Sequence, residues 1–266
     1  MIAPISLRAF AGQYALEHGL VTSSANVILY AIASFERSLD RTASLNDLFH
    51  ELVNDWLGDL LAGQLDRSTI HTYRRILLVV WRAAAEGGLI PAPCRVRKVR
   101  VPTKLPRAWT LPELRRLLEF AAKSRRPDYW RAFILVGYET GLRLSDLLAL
   151  NADQLRDCMV VTAQRKTGEV VACQLSADAL VAFSKVRRFD TLRIRRLQEK
   201  FGDLLLAAKL PGSIKWLRRS GATHCERERP GSAKDYLGHK THGLAEKHYI
   251  DQAQLGISKP RPPAIE

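Results

Sequence analysis

Glu139-Thr140-Gly141-Leu142-Arg143-Leu144-Ser145-Asp146-Leu147-Leu148 closes one helix and opens the next. The apolar periodicity before it predicts a helix over 128–139, and Gly141 suits the left-handed conformation that ends one. Arg143 and Asp146 then stand three apart, the spacing of neighbours on a helical face. Alone, such an Arg is an ordinary ion-paired residue; its companions along the chain decide more.

Downstream, Cys158–Thr162 and Glu169–Cys173 read as two strands around Arg165-Lys166-Thr167-Gly168, a hairpin with Lys166 at its tip. Helical patterns return at 176–187, 191–208, 213–226 and 242–250. Within them Lys215-Trp216-Leu217-Arg218-Arg219 puts Lys215 and Arg218 on one face. Leu237-Gly238-His239-Lys240-Thr241 follows, and Lys247-His248-Tyr249 ends ten residues past that His239. The tail from Gln252, with Pro260, Pro262 and Pro263, reads as loosely ordered.

Upstream, Thr110-Leu111-Pro112-Glu113 combines a capping Thr, an early Pro and a Glu at the third helical position, so a helix is expected over 111–123. Residues 89–108 place Pro91, Pro93, Pro102 and Pro106 among Arg95, Arg97, Lys98, Arg100, Lys104 and Arg107. Prolines at this density predict an extended linker, and its charge suits it to lie against phosphates. Before it come four amphipathic helices. The first runs from Ile5 to His18 and stops at Gly19, and the second opens after Thr22-Ser23-Ser24. A third starts at Ser44, with Asp47 three residues on in an approximate capping box, and a fourth follows Asp66-Arg67-Ser68-Thr69 and ends at Gly87-Gly88.

The 266 residues carry 41 Lys+Arg against 27 Asp+Glu, a net charge of +14. Residues 1–100 hold 11 basic and 9 acidic side chains, the remainder 30 and 18, so nearly all the excess lies in the second part. A surplus so lopsided marks a surface for a polyanion, of which nucleic acid is the commonest. No charged leader with an apolar core opens the chain, and no apolar run approaches the roughly 18–20 residues a membrane span needs. A cytoplasmic, nucleoid-associated protein is therefore expected. Cys94, Cys158, Cys173 and Cys225 form no Cys-x-x-Cys pair, which predicts reduced thiols and no zinc site.

In order and interval these pieces resemble the tyrosine recombinase (phage integrase) family. The resemblance rests on Glu139–Leu148, Arg165–Gly168, Lys215–Arg219, and Leu237–Thr241 through Lys247–Tyr249, and it extends over nearly the whole chain. It implies a mainly α fold with a small antiparallel β-sheet. A helical, SAM-like core-binding domain would occupy 1–88, the basic linker 89–108, and an α+β catalytic domain 109–251. The segment 252–266 would be a carboxy-terminal tail of the kind that contacts a neighbouring subunit in relatives. An additional arm-binding domain before the first helix is not expected.

The resemblance also implies an activity: a site-specific recombinase or integrase that cuts and rejoins duplex DNA through a 3′-phosphotyrosine link, with no metal, ATP or other cofactor. Tyr249 would be the nucleophile, Arg143 and Arg218 the clamp on the non-bridging oxygens, and Lys166 the general acid at the leaving 5′-oxygen. His239 and Lys215 would attend the phosphate, and Asp146 would orient the corner carrying Arg143. Lys215 stands where many relatives carry His; lysine adds charge there but shuttles protons less well near neutral pH. Arg74, Arg75, Lys98, Arg100, Lys104, Arg165, Arg219 and Lys240 are expected on DNA. The partners implied are double-stranded DNA, a second copy on each site, four copies at synapsis, and accessory DNA-bending proteins. The alternative is a catalytically silent member of the family that only occupies DNA.

Overall fold

Two large sets of buried apolar side chains and one small set organise the chain. The structure, a computed structural model, describes residues 4–190, 192–238 and 248–255. It divides into two units, Met1–Thr103 and Lys104–Glu266.

The first unit contains α1 (Leu7–Glu17), α2 (Thr22–Leu39), α3 (His50–Ala62) and α4 (Arg67–Glu86). Asp66 starts α4 by accepting the Ser68 N–H at 2.8 Å. The helix then buries Ile70, Leu77, Val80 and Trp81 in one core with Leu7, Ile32, Phe35 and Trp56. Gly19, at φ 57°, follows the end of α1 as expected. The capping box at Ser44 and Asp47 is real but opens only a single 3₁₀ turn, Leu45–Asp47, and α3 begins at His50. Arg41 grips the Asp47 carboxylate at 2.5 and 2.9 Å, and Leu48, at ψ 76°, turns the chain out of helix.

The proline-rich stretch after α4 is extended, and its first part packs on this unit. Trp81 donates to the Pro91 carbonyl at 2.7 Å, and the Asn54 amide bonds Arg95 O at 3.1 Å and Arg97 N at 2.7 Å. Val99 is buried, while Arg95, Arg97, Lys98 and Arg100 are exposed.

The second unit opens with α5 (Leu111–Ala122), whose capping box is complete: Glu113 accepts from Thr110 N at 2.7 Å. Next come α6 (Pro127–Thr140), α7 (Leu144–Leu148) and a sheet of β1 (Leu155–Arg156), β2 (Met159–Ala163) and β3 (Val170–Gln174). The strands are antiparallel in the order β1-β2-β3, with Val161 opposite Ala172 and Leu155 opposite Val160. α8 (Ala177–Val186), α9 (Ile194–Ala207), α10 (Lys215–Glu228), α11 (Ser232–Leu237) and α12 (Gln252–Leu255) follow. Trp109, Phe133, Phe183, Phe189 and Phe201 are fully buried at the centre, and α6 runs between α5, α8 and α10. The helix expected over 242–250 lies mostly outside the described residues. No helix among the described residues is long and apolar enough to cross a membrane.

Candidate active site

α6 ends at Gly141 with φ 58°, and a Cβ there would fall 2.5 Å from the Tyr236 ring. Both the backbone and the close approach require glycine. The turn delivers Arg143 to the N-cap of α7, with extended backbone at ψ 153°. That conformation takes its side chain off the helical face shared with Asp146. The Arg143 guanidinium donates to Gln164 Oε1 instead. Asp146, 2% exposed, accepts the Arg165 N–H at 3.1 Å and so pins the β2–β3 turn to α7. Gln164 closes that turn through its backbone, with bonds of 2.8 Å to Gly168 N and to Glu169 O. Lys166 is exposed on the same turn.

α10 starts at Lys215 and presents Arg218 and Arg219 within its first turn and a half. Arg218 is only 6% exposed; its guanidinium donates to Gly141 O and, at 2.9 Å, to Leu237 O, joining the ends of α6 and α11. Its central carbon lies 5.2 Å from the centre of the Tyr249 ring. Burial lowers the Arg218 pKa, Tyr249 opposes that shift and the charge of Arg143 adds to it. An arginine keeps its proton under such a shift.

The segment bearing Tyr249 is tied down on both sides. Thr223 Oγ1 donates to Tyr249 O at 3.3 Å and accepts from Asp251 N at 3.0 Å. The Asp251 carboxylate accepts from Ala108 N at 3.1 Å, and Gln254 Nε2 donates to Ala108 O at 2.7 Å. Deeper in the unit, Tyr236 donates to Tyr138 O, and the Tyr138 hydroxyl meets His224 Nδ1 at 2.8 Å. Burial pushes the Tyr138 phenol up to about 12, the Tyr236 phenol well above its ordinary value, and the His224 imidazole down. These three groups are neutral supports for α10.

Arg143, Lys215, Arg218, Arg219, His248 and Tyr249 line one cavity of about 480 Å³. Its other lining residues are glycine and aliphatic side chains, with no Asp or Glu among them. Four converging cations repel one another, and an anion placed between them removes that cost. Phosphate suits such a site because guanidinium offers paired planar donors to its oxygens.

No family model matches the chain, and no curated protein matches its sequence. Solved structures do. A lambda integrase dimer bound to a COC′ core site matches with a TM-score of 0.75 at 20% identity, over 99% of this chain and 81% of that one. The Tn1549 transposon integrase with circular intermediate DNA matches with a TM-score of 0.70 at 14% identity, over 96% and 100%. The XerH site-specific recombinase in a post-cleavage complex matches with a TM-score of 0.70 at 16% identity, over 87% and 78%. All three are tyrosine recombinases. This chain has the tyrosine-recombinase fold.

Within the tyrosine-recombinase fold, the residues singled out in the sequence separate into groups. Arg143, Lys215, Arg218, Arg219 and Tyr249 share the cavity, while Asp146, in α7, bonds the adjoining turn that carries Lys166. His239 and Lys240 lie outside the described residues. Arg75, Lys98, Arg100, Lys104 and Arg165 are exposed. Arg74 is half-buried and bonds the carbonyls of Arg97 at 2.5 Å and Val96 at 3.3 Å, so it holds the basic stretch onto the first unit. Burial, with the nearby charge of Arg82, lowers its pKa.

Sequence reasoning missed Gln164, Thr223 and Asp251. A Gln two before a hairpin lysine and an Asp two past a tyrosine carry no local pattern that announces a buried bond. Among the described residues no three His, Cys, Asp or Glu side chains gather as metal ligands, and the cysteines are free.

Proposed function

We propose that this chain is a site-specific tyrosine recombinase that cuts and rejoins duplex DNA through a 3′-phosphotyrosine link, using neither metal nor ATP. One observation carries the reading: four cations and Tyr249 line a single cavity with no carboxylate among its described lining residues. The Tyr249 oxygen, giving up its proton to solvent, attacks the phosphorus in line as the bond to the 5′-oxygen breaks. Arg143 and Arg218 neutralise the non-bridging oxygens, and burial makes the Arg218 charge count for more than it would in water. Lys166 protonates the departing 5′-oxygen, with Lys215 and His239 completing the phosphate's surroundings. The covalent link conserves the phosphodiester's free energy, so a second 5′-hydroxyl can displace the tyrosine without a nucleotide cofactor.

Exposed Arg75, Lys98, Arg100, Lys104 and Arg165, together with Lys240, would contact the DNA backbone. The solved structures that share this fold include a lambda integrase dimer on a core site and a lambda integrase tetramer on a Holliday junction. By that likeness the protein pairs on one site and forms a tetramer at synapsis.

The test uses a randomised pool of nicked duplexes, since no target sequence is needed to capture a covalent product. Protein-linked DNA that survives denaturation is expected with the native chain, in the presence of chelator, and is expected to vanish in Tyr249→Phe. Arg143→Ala or Arg218→Ala should reduce it by about 100- to 1,000-fold. An undiminished adduct in Tyr249→Phe, or one abolished by chelator, would overturn the mechanism.

A further inference from the structure

We infer that Gln164 is a positioning residue: it aims Arg143 at the phosphate through a neutral bond that leaves the guanidinium its full charge. This deepens the proposed function and rests on that reading of the site. Gln164 is 2% exposed and sits where three stretches meet. Its Oε1 accepts from Arg143 and, at 3.3 Å, from Thr167 Oγ1. Its backbone closes the turn that carries Lys166. Its Nε2 abuts Gly238, where any Cβ would come within 2.7 Å, immediately before His239. One buried amide therefore touches the Arg143 corner, the lysine turn and the glycine next to His239.

The amide matters because of what a carboxylate would do in its place. A charge-assisted bond to Arg143 would be about twice as strong, but it would cancel the cation on which a phosphate depends. Among the described residues, the buried acid beside this turn, Asp146, directs Oδ1 to the Arg165 N–H, and no acid lines the cavity. A glutamine fixes the direction of Arg143 and leaves its charge uncompensated.

Gln164→Glu keeps the shape and changes only the charge, and Gln164→Met keeps the volume and removes the acceptor. Adduct formation with the nicked pool would be followed from pH 5 to 9. Gln164→Met should be slower by about 10- to 100-fold at every pH, as misplaced groups typically are. Gln164→Glu, whose carboxylate Arg143 keeps ionised across this range, should be slower than Gln164→Met at every pH. Loss of structural support alone would not make the variant of unchanged shape the slower of the two. Wild-type rate and profile in Gln164→Glu would overturn the inference.

A second measurement needs no cutting. The melting temperatures of the native chain, Gln164→Glu, Arg143→Ala and the double variant should show a coupling between the two positions at pH 7 and, because Arg143 keeps the introduced carboxylate ionised, at pH 5 as well. Additive shifts at both pH values would overturn the Gln164–Arg143 contact whether or not Tyr249 cleaves DNA. Absence of any adduct from the native chain, with the coupling intact, would overturn the proposed function and leave the contact standing.

Discussion

Gly221 shows how tightly the support of the site is built. A Cβ at this position of α10 would lie 1.9 Å from the Tyr236 hydroxyl and 2.6 Å from the Tyr138 carbonyl. These two atoms are bonded to each other, so neither can retreat without breaking that bond. Gly221→Ala should destabilise the protein by about 3 kcal/mol, the upper range for overpacking a core. Gly202, inside α9, has nothing within 4 Å of its would-be Cβ. Gly202→Ala should stabilise by about 0.5–1 kcal/mol, the ordinary helix preference. Thermal denaturation of the two variants checks both signs, and equal melting temperatures would count against this account of α10.

At the scale of elements, the segment after Tyr249 works as a clasp between α10, α12 and the entry to α5. Asp251→Ala removes the acceptor of the Ala108 N–H and should slow adduct formation about 10-fold through misplacement of Tyr249. Asp251→Asn retains an oxygen at that place and should restore most of the rate. An Asn variant as slow as the Ala variant would show that charge, not the hydrogen bond, is what matters.

Elements were legible wherever local chemistry specifies them. The Thr110 capping box, the Gly141 terminus and both hairpin strands were found within one residue of their observed limits. β1 is two residues long and α11 six, too short for a period to show, although Gly231 and Gly238 bracket α11 in left-handed conformations. The Ser44 box was readable, but the grip of Arg41 on Asp47 that ends the turn was not. The cations of the cavity were legible as a group only through their order along the chain. Gln164, Thr223 and Asp251 were not, because their partners lie 21, 28 and 143 residues away and only the finished fold brings them together.

Across the whole molecule, the two units differ in how they meet acid. In the second unit, burial lowers the His224 pKa from its ordinary 6.5. Its contribution is complete above pH 6.5 and is lost as pH falls towards the folded value, because the unfolded chain takes up the proton first. In the first unit, the bond from Arg41 lowers the Asp47 carboxyl from 3.8 to about 2, and Arg8 lowers Glu36 likewise. The Asp47 contribution holds above about pH 4 and disappears only between there and about pH 2. Hydrogen exchange on acidification should therefore loosen the second unit first, as the pH falls below about 6.5, while α1–α4 stay protected. Loss of protection in the reverse order would contradict this assignment.

The bond between Ala108 and Asp251 spans 143 residues. Contacts of such separation form late, since the intervening chain must first be brought to order. On a ribosome, Ala108 emerges long before its partner exists, and the Tyr249 segment gains its hold on Ala108 only once Asp251 and Gln254 have been made. That segment is thus set in place only after α5 to α11 have been made.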